Sequence, residues 1–155
     1  MDSPLATLHQ PSGLDHVFVY GTLRRGGAND ITRLDPPGHF VGAATVRGWL
    51  YSLGSYPGLL LDVQGPAVVG EVYALDPVLE RVLDGIEELY PQQRDEYVKR
   101  RVAVEVAGRT LDCLVYEIHP RYVQGRRALN PPDWLHHAPA LPQSLGGPIQ
   151  GGRAP

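Results

Sequence analysis

The sequence predicts one α+β domain, with about six short strands curled into a closed or nearly closed sheet and one main helix at its flank. Three observations lead there. Short apolar runs recur along the chain, and the 18 glycines and 15 prolines collect at their ends. One stretch, residues 76–90, carries apolar side chains at helical spacing. A length of 155 residues suits a single core, buried without help from metals or disulfides.

In chain order, residues 1–14 read as a flexible tail, and His16 to Tyr20 as the first strand. Gly21 to Gly27 is a loop, followed by one helical turn over Asn29 to Leu34. Pro36-Pro37-Gly38 then breaks the chain. Thr45 to Leu53 reads as a strand, and Gly54 to Gly58 as a tight turn. Leu59 to Val63 and Ala67 to Leu75 are the next strands. Asp76 is a good N-cap and Pro77 suits the first helical position. Leu79, Val82, Leu83 and Ile86 form the apolar stripe of the helix, which fades near Tyr90-Pro91. Tyr97 to Val106 and Leu111 to Ile118 form a hairpin across Ala107-Gly108-Arg109. A last helical start stands at Pro132-Asp133-Trp134. Residues 15–138 make the domain, and 139–155 a tail rich in proline and glycine. Strand order does not follow from these runs.

Composition excludes several classes. A net charge of -3 argues against a dedicated nucleic-acid binder, which needs clustered excess base. The pairs Arg24-Arg25, Arg100-Arg101 and Arg126-Arg127 read as solvated faces. No apolar run reaches the roughly 20 residues of a membrane helix, and residues 1–13 lack the pattern of a signal peptide. One cysteine makes no internal disulfide, so a reducing, cytoplasmic setting is expected. Cys113 alternates like a core residue, and His136-His137 reads as a solvated loop pair with no further ligands at metal-site spacing. GxxxxGK[ST], GxGxxG and GxSxG are all absent.

Two places can carry chemistry. In HVFVYGTLRRGGAND (16–30) a strand runs straight into bare backbone. Amides fanning out of such a turn form an anion cradle, and glycine lets a ligand approach them. The plainer alternative is a turn that glycine merely permits. The second place is the helix, with Asp76, Glu80, Asp84, Glu87 and Glu88. At about 100° per residue from Leu79, Glu88 lies about 180° away, facing water, and Glu87 about 80° away, at the core boundary. A carboxylate there is partly desolvated, which raises its pKa toward values useful for proton transfer. An ordinary rim glutamate is the plainer reading of the geometry alone.

Together the two places resemble a known family. FVYGTLRRG (18–26) resembles the opening signature of the γ-glutamylcyclotransferase-like, or AIG2-like, family. The resemblance continues through GWLYSLGSYPGLLL (48–61), GEVYALD (70–76), LDGIEEL (83–89), YVKRRV (97–102) and CLVYEI (113–118), in order. It implies a small mixed β-barrel and an enzyme that needs no metal or cofactor. The substrate would be a small γ-glutamyl compound whose α-amine attacks its own γ-carbonyl, releasing 5-oxoproline and a free amine or amino acid. It also implies Glu87, the acid of the family's LDxxEG motif, as general acid and base. Tyr20, Gly21, Thr22 and Leu23 would bind the γ-glutamyl group, with Tyr97 lining the pocket. Glu88 stands where the family has glycine, and the 88–96 stretch is longer than in many relatives. A binding module without turnover and an amidohydrolase using water are the alternatives. Neither nucleic acid nor membrane is an expected partner, and oligomeric state and leaving group do not follow from the sequence.

Overall fold

Alternation along a strand gives it two apolar faces when both are covered. In the computed structural model, which describes residues 11–89 and 97–137 (at 87–89 the backbone alone), those covers are the interior of a curled sheet and one helix. The strands are β1 (His16–Val19), β2 (His39–Ser52), β3 (Pro57–Leu61), β4 (Ala67–Ala74), β5 (Tyr97–Val106) and β6 (Arg109–Ile118). Helix α1 spans Pro77–Leu89 and a short α2 spans Trp134–His137, with 3-10 turns at Ile31–Arg33 and Pro120–Tyr122.

The sheet order is β3-β2-β4-β1-β6-β5. Central β1 runs antiparallel to β4, with Phe18 opposite Val72, and parallel to β6, with Val17 opposite Leu114. The other pairs are antiparallel. The sheet curls until β2 meets β5 and β3 meets β6, which makes a mixed half-barrel. A Cβ on Gly42 of β2 would lie 2.6 Å from Val106 Cγ1 of β5, so glycine permits that approach.

The period of two sorts the core. Phe18 and Tyr20 of β1 and its continuation join Val72, Val104, Cys113 and Val115 inside the curl. Val17 and Val19 join Tyr73, Leu114, Tyr116 and Ile118 on the face that α1 covers with Leu79 and Leu83. Cys113 is buried as its alternation predicts, and burial pushes its thiol up to about 11, with Asp112 adding to the rise. Asp76 caps α1, its Oδ1 accepting from Leu79 N at 2.8 Å. The β5–β6 turn, Ala107-Gly108, has φ of 51° and 80°, the two positive values that a tight hairpin favours.

Several boundaries differ from the sequence reading, most of them by one or two residues, and three differences have a plain physical reason. β2 begins at His39 rather than Thr45, because Gly42, Ala43 and Ala44, weak strand formers alone, are held by the β4 ladder. A bulge between Phe40 and Gly42 absorbs the slip. β3 begins at Pro57, the first residue of an edge strand, where a missing N–H is tolerated. His136 and His137 end α2 instead of lying in a loop. In the segment read as an N-terminal tail, residues 11–14 are described. Ser12 N and Oγ donate to Glu80 of α1 at 2.9 and 3.0 Å, and Leu14 packs on the core. Among the described residues no helix is long and apolar enough to cross a membrane.

Candidate active site

β1 loses its ladder partner after Val19, opposite Glu71, and the chain turns back at once. Arg24 N donates to Gly21 O at 3.0 Å, Asn29 N to Thr22 O at 2.8 Å and Ile31 N to Leu23 O at 2.9 Å. The carbonyls of Gly21, Thr22 and Leu23 are thereby all engaged. Their amides find no protein acceptor among the described residues. Three successive residues with unclaimed N–H groups border a cavity of about 580 Å³, the kind of concavity that takes an anion or a developing oxyanion.

Ionic contacts fix this loop. The Glu71 carboxylate accepts from Arg24 Nε, Arg25 N and Tyr73 Oη, each at 2.9 Å. Arg24 Nη1 reaches on to Asp133 Oδ1 at 2.7 Å. Arg24 is therefore no solvated arginine: it is 8% exposed and ties the loop to β4 and to the segment before α2. Arg25 is exposed and lies over the Phe40 ring. Burial, reinforced by Glu71, holds the Tyr73 hydroxyl well above its ordinary range.

The facing wall comes from β3, β5 and β6. A Cβ on Gly21 would sit 2.5 Å from Pro57 Cγ, so the loop and the start of β3 touch through glycine alone. Tyr97 Oη donates to Pro57 O at 2.7 Å and Tyr20 Oη to Tyr116 O at 2.6 Å. The Tyr56 ring lies 6.4 Å from that of Tyr97. Tyr20, Gly21, Thr22, Leu23 and Tyr97, five of the six residues singled out in the sequence, thus line one cavity.

The sixth, Glu87, lies in the last turn of α1, directly after Ile86, which lines the same cavity. Its side chain lies outside the described residues. The buried side of α1 is not the apolar stripe alone: Leu79, Glu80, Leu83 and Asp84 are all 3% exposed or less. At about 100° per residue, backbone position 87 falls within about 10° of the centre of that set, and position 88 about 110° away.

The two buried acids of α1, Glu80 and Asp84, do not line the cavity but pack behind it, and their burial was not legible in the sequence. Lys99 Nζ of β5 contacts Glu80 Oε2 at 2.6 Å and both Asp84 oxygens at 3.0 and 3.1 Å. Tyr116 Oη donates to Asp84 Oδ1 at 2.6 Å. Burial pushes the Asp84 carboxyl above its ordinary value against the pull of Tyr116 and Lys99, and Glu80 adds to the rise. Tyr116, Tyr56 and Pro57 border the cavity without having been singled out in the sequence. The alternation of β6 with Leu114 and Ile118 was the available signal for Tyr116. Among the described residues no three His, Cys, Asp or Glu side chains converge as metal ligands would.

Residues 17–136 match the family described as "Gamma-glutamyl cyclotransferase, AIG2-like". The chain is similar to the gamma-glutamylaminecyclotransferase of Bos taurus, 33% identical over 147 residues, covering 86% of this chain and 78% of that one. It is 30% identical over 139 residues to the mouse protein of the same name, covering 77% and 83%. An AIG2-like protein from Mus musculus superposes with a TM-score of 0.64 at 27% identity, over 83% of this chain and 96% of that one.

Proposed function

This chain belongs to the gamma-glutamyl cyclotransferase, AIG2-like family, and from that premise we propose that it cleaves a γ-glutamyl amide by cyclisation, releasing 5-oxoproline. The name shared by the curated relatives carries γ-glutamyl amines into the proposal as the substrate class. The observation that supports it most is the row of three unclaimed amides, at Gly21, Thr22 and Leu23, on a cavity that the end of α1 also borders.

The substrate holds nucleophile and electrophile in one molecule, so the protein needs to fold it into an attack geometry. Its α-amine adds to the γ-carbonyl carbon and closes the five-membered ring. Glu87 takes a proton from that amine. The oxyanion, or the substrate carboxylate, lies on the amides of residues 21–23. Collapse breaks the bond to the leaving nitrogen, and Glu87 returns the proton to it. The products are 5-oxoproline and a neutral amine, and atoms and charge balance without a further reactant.

Glu87→Gln is expected to fold and to bind the substrate while lactam release falls about 10²–10⁴-fold. Glu88→Gln is expected to change turnover little. Wild-type rates in the Glu87 variant, read by 5-oxoproline release, would remove it from the mechanism. A substrate with its α-amine blocked separates the alternatives: a cyclase leaves it intact, a water-using amidohydrolase cleaves it, and a binding module turns over neither form.

A further inference from the structure

The ladder between β1 and β4 ends where Val19 stands opposite Glu71. A bend later, the side chain of the same Glu71 takes hold of the chain again, at Arg24 Nε and Arg25 N. One residue of an inner strand therefore grips the chain on both sides of Gly21, Thr22 and Leu23. The hydrogen bonds that shape residues 21–31 stay inside the segment 21–38. Among the described residues, those that tie 21–31 to the rest of the molecule start from Arg24 and Arg25 and end on two acids, Glu71 and Asp133. The third donor to Glu71, Tyr73 Oη, stands on the same face of β4 and orients the carboxylate rather than the loop.

Stability alone is a poor reason for such a pair. Arg24 and Glu71 are 8% and 9% exposed, and burying ions costs about as much as their pairing returns, so apolar packing would serve as well. Apolar packing has no direction, however, and charge-assisted hydrogen bonds do. We propose that Glu71 is a positioning residue for the cyclisation: by holding Arg24 and Arg25 at fixed places on β4 it sets the curvature of the bend just before them, and with it the spacing of the amides at Gly21, Thr22 and Leu23. The proposal rests on the cyclotransferase reading above. Glu71 touches no substrate in it and acts through the loop.

The test is Glu71→Gln, which keeps size and shape and exchanges one acceptor oxygen for an NH2 group. Oε1 serves Arg25 N and Oε2 serves Arg24 Nε, so whichever way round the amide sits, its NH2 meets one of the two loop donors and that tie is lost. Arg24 keeps Asp133 as its counterion, so no buried cation is stranded. Kinetics on a simple γ-glutamyl alkylamide are measured well below the melting temperature, which is followed in parallel. The variant is expected to lose about tenfold or more in kcat/KM, as a misplaced binding group does. A loss in kcat supports a loop that holds the developing oxyanion, and a rise in KM one that holds the substrate carboxylate; either supports the proposal. A merely structural tie moves neither constant in the folded enzyme, so wild-type kcat and KM beside a lowered melting temperature overturn the proposal and leave the cyclotransferase reading standing. If Glu71→Gln does not fold, Arg24→Met, which removes the Arg24 tie and leaves Arg25 N on Glu71, decides alone: the same loss supports the proposal, and wild-type constants overturn it. A wild-type protein that releases no lactam from any γ-glutamyl amide overturns both.

Discussion

Gly21 meets the rigid ring of Pro57 where an added Cβ would lie 2.5 Å from Cγ and 2.8 Å from Cδ. Real Cβ atoms do not come that close, so a side chain at 21 must move the loop or the start of β3. Neither moves freely. The loop is clamped by Arg24 and Glu71, and the Pro57 carbonyl takes the Tyr97 hydroxyl. Gly21→Ala is therefore expected to lower kcat/KM by about tenfold or more, as a misplaced binding group does, while most of the fold, remote from this contact, melts nearly as before. Steady-state kinetics beside a thermal melt checks it, and full activity in Gly21→Ala would show that the loop has slack. Glycine at this point was legible in the sequence as bare backbone after a strand. Its partner was not, since Pro57 is 36 positions away and reads locally as a turn.

Helix α1 shows what a pattern of apolar residues can and cannot disclose. Its start and the burial of Leu79 and Leu83 follow from the cap and the spacing; the stop read near Tyr90-Pro91 lies outside the described residues. The burial of Glu80 and Asp84 is not visible in that pattern because it depends on Lys99, a cation delivered by β5. Lys99→Met strands two buried carboxylates and is expected to destabilise the protein by about 3–5 kcal/mol. The pH dependence has a definite sign. The Asp84 carboxyl already sits above its unfolded value of 3.8 in the intact cluster, raised by burial. A folded state that holds its proton more tightly loses stability as pH rises through the window above that value. Without the ammonium the window widens. The Lys99→Met variant is expected to recover stability as pH falls from neutrality toward the ordinary carboxylate range. Urea midpoints across that range check it, and a midpoint that keeps falling as the pH is lowered would contradict it.

At the scale of the molecule, the site exists because the sheet stops short of closing. Strand order β3-β2-β4-β1-β6-β5 was not legible, since β1 finds its neighbours at β4 and β6, far along the chain. That order leaves β3 and β6 facing each other without a backbone ladder, at the place where the cavity opens. What joins the facing walls there is side-chain chemistry: Tyr97 Oη on Pro57 O, Tyr20 Oη donating to Tyr116 O while it accepts from Leu59 N, and Glu117 Oε2 taking Leu61 N at 2.9 Å. Tyr97→Phe keeps the ring and removes one of these links, leaving a buried carbonyl unsatisfied at a cost of about 1–3 kcal/mol. The loss should be local. β3 is an edge strand whose only backbone ladder is to β2, whereas β1 and β4 sit inside the sheet. Amide exchange in the variant is expected to quicken at Leu59 and Leu61 and to stay unchanged at Phe18 and Val72. Uniform quickening across all four would mean that the tyrosine supports the whole fold rather than the seam, and that the cavity is not a consequence of incomplete closure.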